Sequence, residues 1–394
     1  MTINFTARTE ELTPAMIEQR RDFHRHPELA FQEVRTAGIV AKTLGELGLE
    51  VQTGIGKTGV VGILEGDHEG PTLLIRADMD ALPILEANET DYVSETSGVM
   101  HACGHDGHTA IGLTVAKMLS EYRGDIHGRV KFVFQPAEEI GQGAKAMVDD
   151  GALKDPRPDF TIGLHLWNEV EVGTVAVMDG PSMAAADLWT CVITGYGGHG
   201  ALPHQTQDPI VAAAQIVSAV QTIVSRNTDA IDAAVVTVGS IKGGDAFNVI
   251  PATVELKGTI RTFTKATKAI VHQRLREICE GVAQAMGCTA DLEIDERTIA
   301  VHNDPEISGR VRRVAVDLFG EEAVRSDVRT MGAEDVSCFM DDIPGCYFFV
   351  GSANRERDLA YPHHNPRFDF DEQALTIGAA LLASAAAEFM IPGE

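Results

Sequence analysis

The alternation of strand-like and helix-like segments is the feature that most constrains the fold of this chain. Short apolar runs such as residues 59–66 and 72–80 are typical of strands, and longer segments with helical periodicity, such as 107–124, separate them. Alternation of this kind indicates an α/β fold, in which helices cover a largely parallel sheet. We therefore predict an α/β architecture for most of the chain.

One block departs from this alternation and indicates a second domain. The elements predicted within residues 184–295 follow the order β-α-β-β-α-β, which is the ferredoxin-like pattern of a self-contained unit. The segments before and after it return to α/β alternation. We predict a two-domain protein, with a discontinuous α/β domain formed by residues 1–183 and 296–394 and an inserted ferredoxin-like domain at 184–295.

Composition limits the class of protein. The 394 residues exceed what a single hydrophobic core usually organises, and the 44% hydrophobic content is ample for two cores. A formal net charge of −26 without any basic patch argues against nucleic acid or an anionic membrane as a partner. We expect a partner that is a small molecule.

The N-terminal segment and the hydropathy pattern bear on location. Residues 1–16 lack the basic start and the unbroken apolar run of a signal peptide. We also expect no segment to reach the roughly 18 apolar residues that a membrane helix needs. The sequence thus predicts a cytoplasmic protein.

Cysteine spacing argues against a disulfide framework, because the cysteines are scattered along a long chain without pairing. They are Cys103, Cys191, Cys279, Cys288, Cys338 and Cys346. Most fit the role of small buried apolar residues. Cys103 differs, because histidines surround it.

The segment VMHACGHDGHTA, residues 99–110, concentrates side chains that bind metal or carry protons. They are His101, Cys103, His105, Asp106 and His108. In the Cys-x-His spacing of Cys103 and His105, a thiolate and an imidazole can reach one ion. The segment lies just ahead of a predicted helix.

Three further segments offer matching groups. Glu138 and Glu139 follow a predicted strand, His165 follows another apolar strand, and His363 and His364 lie on a proline-flanked loop. Each is unremarkable alone, since adjacent carboxylates are usually solvated and a histidine at a strand end usually packs. Combined with the thiolate and imidazole of the earlier segment, they suit Zn, Mn, Co or Ni better than Ca or Mg. If Glu139 binds the ion, Glu138 lies close enough to its water to act as a general base.

Motifs along nearly the whole chain resemble a known family. They are, in order, RRDFHRHPELAFQE, RADMDALP, MHACGHDGHTA, FQPAEE, GLH, GGHGALPH, NVIP, GTIRTF and HHNPRFDFDE. Together they are similar to the aminoacylase-like metallopeptidases, and within them to the amidohydrolase branch. That branch contains hippurate hydrolases, indole-acetyl-amino-acid hydrolases and N-acyl-amino-acid deacylases.

The resemblance implies a site with two divalent ions. Five residues match its ligands: Cys103, His105, Glu139, His165 and His364. Glu138 matches the general base, which deprotonates a metal-bound water for attack on the amide carbon and then passes the proton to the departing amine. The ions would polarise the carbonyl and stabilise the oxyanion.

In one respect the sequence departs from the wider family. There the strand motif begins with a metal-binding histidine and an aspartate bridges the ions, whereas this chain has Arg76-Ala-Asp78 and offers Cys103. We expect the Cys103 thiolate to replace the bridging carboxylate. Asp78 is expected outside the ligand set, either orienting a ligand imidazole or capping a strand end. Orienting or structural roles are expected also for His101, Asp106, His108 and His363.

The resemblance further implies residues that contact the substrate. His199 would reach across a dimer interface to hydrogen-bond the substrate carbonyl in the other subunit. Asn248 and Arg261 would hold the substrate's α-carboxylate, which suits an arginine fork. Gly332 and its backbone neighbours would lie near the leaving group. These roles imply a homodimer or a homotetramer.

The sequence leads to one predicted function and leaves three alternatives open. The prediction is a metal-dependent amidohydrolase that cleaves N-acyl amino acids, with an acyl group that motifs do not identify. A metallocarboxypeptidase or dipeptidase fits the same scaffold. A non-catalytic metal-binding protein would have no need of Glu138. A cysteine hydrolase built on Cys103 and His105 would leave the other predicted ligands unexplained.

Overall fold

The computed structural model describes residues 3–392, in which strands and helices alternate. The strands are β1 (Glu50–Ile55), β2 (Gly59–Glu65), β3 (His68–Asp78), β4 (His127–Gln135), β5 (Phe160–Glu171), β6 (Val175–Ala176), β7 (Gly180–Met183), β8 (Ala185–Thr194), β9 (Gly198–His199), β10 (Ala234–Lys242), β11 (Val249–Ile250), β12 (Thr253–Thr262), β13 (Thr289–Thr298), β14 (Val301–Asn303), β15 (Val324–Arg325) and β16 (Gly345–Ala353). The helices are α1 (Thr6–Arg25), α2 (Val34–Glu46), α3 (His105–Ser120), α4 (Gly143–Asp149), α5 (Pro209–Thr222), α6 (Lys265–Ala285), α7 (Pro305–Phe319), α8 (Ser337–Met340) and α9 (Gln373–Met390). The predicted α/β class is confirmed.

The chain forms two compact units. The first comprises Met1–Ser182, Val301–Arg329 and Asp335–Glu394, and the second comprises Met183–Ala300 and Thr330–Glu334. The predicted insert, residues 184–295, lies inside the second unit, which is somewhat longer. Strand β13 continues to Thr298, and Met183 forms a β-bridge with Thr330.

The first unit is built around an eight-stranded sheet with the order β1-β2-β4-β3-β5-β16-β6-β15. In its centre, β3 is parallel to β4 and β5, and β5 is parallel to β16. These strands are largely buried and apolar, as in sheets covered by helices. Helices α1, α3, α7 and α9 contribute to the same core.

Parallel pairing brings the ends of the central strands to one edge. Asp78, the last residue of β3, is level with Gln135, the last residue of β4. On the other side of β3, Arg76 is level with Gly163 of β5. Residues that follow β3 and β4 therefore meet at this edge, where α/β proteins commonly bind ligands.

The placement of His165 differs from the expectation that it follows an apolar strand. Strand β5 continues to Glu171, so His165 lies within it. Its side chain is buried. Because Gly163 pairs with Arg76, His165 is level with the end of β3.

Two helical segments are long and apolar enough to cross a membrane by length and composition alone, Pro209–Asn227 and Gln373–Met390. Neither segment is an unbroken run of apolar residues, because the first contains Arg226 and the second contains Glu388. Helix α9 is mostly buried in the core of the first unit. Helix α5 packs Ala212, Ile216 and Val220 into the core of the second unit. Burial in the core thus accounts for the apolar character of α9, whereas 33% of the Pro209–Asn227 segment is buried.

The second unit has its own sheet and core. Its sheet has the order β10-β12-β8-β13, with every neighbouring pair antiparallel. Helices α5 and α6 pack on it, and the elements follow one another as β8, α5, β10, β12, α6 and β13. Asp208 caps α5 by accepting from the amides of Ile210 and Val211, and Thr264 caps α6.

A buried lysine on the sheet of the first unit forms hydrogen bonds with a neighbouring loop. Lys131 lies on β4 and is only 1% exposed. Its ammonium donates to the carbonyls of Ala152, Lys154 and Pro156 at 3.0, 2.8 and 2.7 Å. Burial lowers the pKa of Lys131 to about 8. The three carbonyls offset the loss of water around this charge.

We predict that Lys131→Met destabilises the protein by about 3 kcal/mol, because three carbonyls lose a charged donor. Thermal unfolding followed by circular dichroism should give a clearly lower midpoint. Lys42→Met is the matched control, since the Lys42 side chain is 77% exposed and its nearest carboxylate oxygen is 3.8 Å away. Equal midpoints for the two variants would contradict the structural role of Lys131.

Candidate metal centre

The start of α3 carries two predicted ligands. His105 is the first residue of the helix, and Cys103 lies two residues earlier. Gly104 between them has φ 92°, a left-handed conformation that glycine adopts without strain. Cys103 and His105 are both buried.

The other predicted ligands come from three separate parts of the first unit. Glu139 lies in the 3-10 turn Glu138–Ile140 that follows β4, and His165 lies within β5. His364 lies on the loop before α9, and its amide donates to the carbonyl of Ala102 at 2.8 Å. This bond fixes the loop beside the Cys103 segment.

The five predicted ligands converge. Cys103 Sγ is 3.6 Å from His165 Nε2, and His364 Nε2 is 3.2 Å from Glu139 Oε2. His105 Nε2 is 3.8 Å from Glu139 Oε1. The sets whose ligand atoms lie within 4.8 Å of one another include Cys103 with His105 and His165, Cys103 with Glu139 and His364, and His105 with Glu138 and Glu139. Cys103 is shared by the first two sets.

Hydrogen bonds leave the metal-facing nitrogens available. His105 Nδ1 lies 2.9 Å from the carbonyl of Asp80, to which it donates, so Nε2 faces the other ligands. His165 Nδ1 donates in the same way to the carbonyl of Leu166 at 2.6 Å. Burial and the neighbouring His108 hold the pKa of His165 well below its usual range. His165 is therefore a neutral imidazole, the form that binds metal.

Two buried atoms point to a cation. Within residues 3–392, His105 Nε2 and Glu139 Oε1 are buried and have no hydrogen-bond partner. Buried polar atoms are costly unless something satisfies them, and a divalent ion between them would do so. The donor set of thiolate, imidazoles and carboxylates fits Zn, Mn, Co or Ni. The residues thus fit two divalent ions per chain.

Asp78 contacts a histidine that is outside the predicted ligand set. Its Oδ1 is 2.6 Å from His108 Nδ1, whereas its Oδ2 is 3.5 Å from His105 Nε2. His108 Nε2 accepts from the amide of Leu166 at 2.9 Å. Asp78 thus links α3 to β5 through His108. Arg76 donates to Asp78 at 2.6 Å and compensates its buried charge.

His363 lies beside the thiol rather than in open solvent. Its Nε2 accepts from the amide of Asn168 at 3.1 Å, so the proton is on Nδ1, which lies 3.7 Å from Cys103 Sγ. The rings of Trp167 and Phe368 flank it, with centroids at 4.7 and 5.0 Å. Burial lowers the pKa of His363 to about 3. His363 is oriented to donate to the Cys103 sulfur.

A buried ionic network behind the site was missed from the sequence. Arg20 is fully buried on α1 and donates to Asp106 and Asp369, each at 2.8 Å. His24 is also buried, and its ring nitrogens lie 2.8 Å from Asp106 and 3.1 Å from Glu86. Because Asp106 follows His105, the network supports the start of α3. The available signal was the four-residue spacing of Arg20 and His24, which places them on one helix face.

The remaining predicted site residues belong to the second unit. His199 is exposed on β9 and pairs with Val249 of β11, the neighbour of Asn248. Arg261 lies on β12, half-buried, and donates to the carbonyl of Ile260. These three residues all lie in the second unit. Burial lowers the pKa of the Arg261 guanidinium.

Gly332, the last predicted substrate contact, belongs to the short segment Thr330–Glu334 of the second unit. Its carbonyl accepts from the amide of Ala184 at 2.9 Å. Its own amide donates to Thr330 Oγ1 at 3.0 Å. These two bonds fix the Gly332 backbone within the second unit.

The chain is similar to a family of peptidases and to several named hydrolases. Residues 74–388 match the family model described as Peptidase family M20/M25/M40. The chain is 38% identical to an N-acetylcysteine deacetylase of Bacillus subtilis, over 94% of this chain and 96% of that protein. It is 39% identical to IAA-amino acid hydrolase ILR1-like 2 of Arabidopsis thaliana, over 98% and 87%. It is also 36% identical to thermostable carboxypeptidase 2 of Saccharolobus solfataricus, over 96% of each.

Solved structures agree with this similarity. A protein from methicillin resistant Staphylococcus aureus is 35% identical with a TM-score of 0.93, over 99% of this chain and all of that one. The Bacillus subtilis YXEP protein, a dinuclear metal binding peptidase from the M20 family, is 34% identical with a TM-score of 0.85, over 96% and 98%. The fold is thus shared with solved structures.

We predict that stability falls at alkaline pH through His24. Burial alone would lower the pKa of His24, but its hydrogen bonds to Asp106 and Glu86 outweigh burial and raise it to about 9. The unfolded value is about 6.5. The stabilisation is therefore complete below about pH 6.5 and is lost as the pH rises through about 9, a loss of about 3 kcal/mol.

Thermal midpoints of the wild type and His24→Gln at pH 6 and pH 10 test this prediction. The difference between the two proteins should be large at pH 6 and small at pH 10. His26→Gln is the control, because the His26 side chain is 35% exposed. A difference that does not depend on pH would show that protonation of His24 does not stabilise the protein.

Proposed function

Because this chain belongs to peptidase family M20/M25/M40, we propose that it is a metal-dependent hydrolase that removes the acyl group from N-acyl amino acids. The single observation that carries the proposal is the position of Glu138. Its Oε2 lies 3.9 Å from His105 Nε2, and the two residues form one candidate ligand set with Glu139. A purely metal-binding protein would not need a second carboxylate at this place.

In the proposed site, Cys103, His105, Glu139, His165 and His364 hold two divalent ions. When bound, such ions supply Lewis-acid activation of water and of the amide carbonyl. Glu138 takes a proton from the attacking water while the water oxygen forms a bond to the carbonyl carbon. The bond between that carbon and the amide nitrogen then breaks. Glu138 gives the proton to this nitrogen, so a free carboxylic acid and a free amine leave.

The relatives support a substrate with an amino acid on its leaving side. One is named for deacetylation of N-acetylcysteine and another for hydrolysis of IAA-amino acids. We propose that Arg261 and Asn248 hold the α-carboxylate of this amino acid, because an arginine fork binds a carboxylate with two hydrogen bonds. The Gly332 backbone would contact the same part of the substrate. Such local positive charge is needed in a chain whose net charge is −26.

A carboxypeptidase acting on short peptides is the second candidate. It is supported by a relative of 36% identity that is named a thermostable carboxypeptidase. Both reactions release an amino acid from an amide and need the same ions and base. The groups that flank the amide distinguish the two activities, so substrate comparison decides between them.

We also propose that the protein is a cytoplasmic homodimer or homotetramer in which His199 serves the site of another subunit. The exposure of His199 allows such a contact. Apolar side chains on the paired strand and just before it are exposed as well, with Val249 at 52% and Phe247 fully exposed. Exposed apolar side chains in one region favour an interface between chains.

The proposed function is tested by measuring amide hydrolysis after a chelator has removed metal from the protein and Zn, Mn, Co or Ni has been added back. The substrates are hippurate, N-acetyl amino acids, indole-acetyl amino acids and dipeptides. Metal-dependent release of an amino acid from one acyl class supports the proposal. Faster cleavage of dipeptides supports the carboxypeptidase, and no hydrolysis with metal bound contradicts both.

We predict that Glu138→Gln loses turnover by a factor of about 10³ while it keeps two metal ions, because only the proton acceptor is removed. Glu139→Gln is the matched neighbour and should lose metal. Metal content by elemental analysis and kcat on the best substrate measure both effects. Loss of metal from Glu138→Gln would refute its assignment as the base.

We predict that His199→Ala keeps its oligomeric state and loses turnover by a factor of about 10², the effect of removing one oxyanion donor. Mixing His199→Ala with Glu138→Gln should restore about a quarter of the wild-type activity. Mixed dimers then make up half of the population, and each has one intact site. His204→Ala is the control, because His204 is the next histidine in the chain and lies in the 3-10 turn Pro203–Gln205 that follows β9. No recovery after proven subunit exchange would place His199 outside a shared site.

A further inference from the structure

Three successive backbone amides at the end of β4 donate to carboxylates. The amide of Ala137 donates to Glu33 Oε1 at 2.9 Å. The amides of Glu138 and Glu139 donate to Asp80 Oδ1 and Oδ2, each at 3.0 Å. Glu33 and Asp80, which we call the carboxylate clamp, come from the start of α2 and from the segment after β3.

The turn needs external support because its backbone is strained. Ala137 has φ 55° and ψ 36°, the left-handed conformation that costs a residue with a Cβ about 1 kcal/mol. Ala137 is also completely buried. Its amide therefore depends on Glu33 for a partner, and losing such a partner costs about 1–3 kcal/mol. The clamp holds the turn in a conformation that the sequence Pro-Ala-Glu-Glu would not favour alone.

Asp80 also orients the imidazole of His105, a candidate ligand. Its backbone carbonyl accepts from His105 Nδ1 at 2.9 Å, and its Oδ1 lies 3.3 Å from the same nitrogen. This contact directs His105 Nε2 towards Glu139. One residue thus fixes the backbone of Glu138 and Glu139 and the ring of His105.

We propose that Glu33 and Asp80 are positioning residues, which place Glu138 for proton transfer and Glu139 for metal binding by holding the amides of their turn. For Glu138 this rests on the proposed function. For Glu139 the proposal rests on the candidate ligand set. It predicts that disrupting the clamp lowers the metal affinity. Neither clamp residue belongs to a candidate ligand set among the described residues.

Asp80 and Glu33 differ in the hydrogen bonds that their carboxylate oxygens accept. Each Asp80 oxygen accepts from one amide, so an asparagine in either orientation would turn an NH2 group towards an N–H donor. In Glu33, Oε1 accepts from the amides of Phe31 and Ala137, whereas Oε2 accepts only from the Thr58 hydroxyl. A hydroxyl can accept as well as donate. Glutamine at position 33 can therefore keep every contact, with its NH2 donating to Thr58.

The experiment compares Asp80→Asn, Glu33→Gln and Glu33→Leu in the full chain, with zinc as the metal probe. Zinc affinity is measured by competition with a chelating dye, and kcat and KM on the best substrate are measured with zinc in excess. We expect Asp80→Asn to lose at least tenfold in zinc affinity and in kcat with KM changed less than threefold. Glu33→Gln should stay within threefold of the wild type, and Glu33→Leu should lose at least tenfold in kcat.

Two results would overturn the proposal. One is wild-type zinc affinity and kcat in Asp80→Asn. The other is an equal kcat of Glu33→Gln and Glu33→Leu, which would show that the hydrogen-bonding atoms of residue 33 do not determine activity. If Asp80→Asn does not fold, the two Glu33 variants decide. Addition of Ala137→Gly to Glu33→Leu should restore part of kcat, because glycine relieves the left-handed strain.

Failure of the proposed function is distinguishable from failure of the clamp. If the wild type cleaves neither N-acyl amino acids nor peptides, the proposed function fails. The zinc affinities of Asp80→Asn and the wild type still test whether the clamp positions Glu139. A wild type that is active, with an Asp80→Asn variant equal to it in zinc affinity and kcat, rejects the clamp alone.

Discussion

The parallel register of β3 with β4 and β5 is the constraint on which the metal centre depends. It sets Asp78 level with Gln135 on one side and with the region of His165 on the other. The segments that leave β3 and β4 therefore begin at one height and meet. A shift by one residue would turn the side chains of a strand to the opposite face and separate these groups. The site follows from the sheet register before any ligand is considered.

Buried charges around the site are compensated in pairs rather than avoided. Arg76 bonds to Asp78, Gln135 and Tyr347, and so joins β3, β4 and β16. Arg20 joins α1 to the start of α3 and to the loop before α9 through Asp106 and Asp369. Replacing one member of such a pair leaves an unpaired charge, which costs about 3–5 kcal/mol. These pairs make the positions of the ligand-bearing segments depend on one another.

Much of the fold could be predicted from the sequence because periodicity reports local structure. The strands and helices are present, and the residues chosen for their metal chemistry come together. Long-range hydrogen bonds could not be predicted in the same way. Glu33 and Asp80 bind backbone amides, and every residue except proline has such an amide, so no side-chain pattern marks the pairing. The pairing of Asp78 with His108 likewise depends on how α3 lies against β5.

The connection between β5 and β16 has a consequence for the order in which the protein forms. These strands are neighbours in the sheet, yet the whole second unit lies between them in the chain. During synthesis the second unit, which has its own core, is complete before β16 and α9 leave the ribosome. Until then β5 has an unpaired apolar edge, and the core that α9 fills is open. Nascent chains of this kind are exposed to aggregation, so biogenesis is expected to depend on chaperones and on the rate of translation.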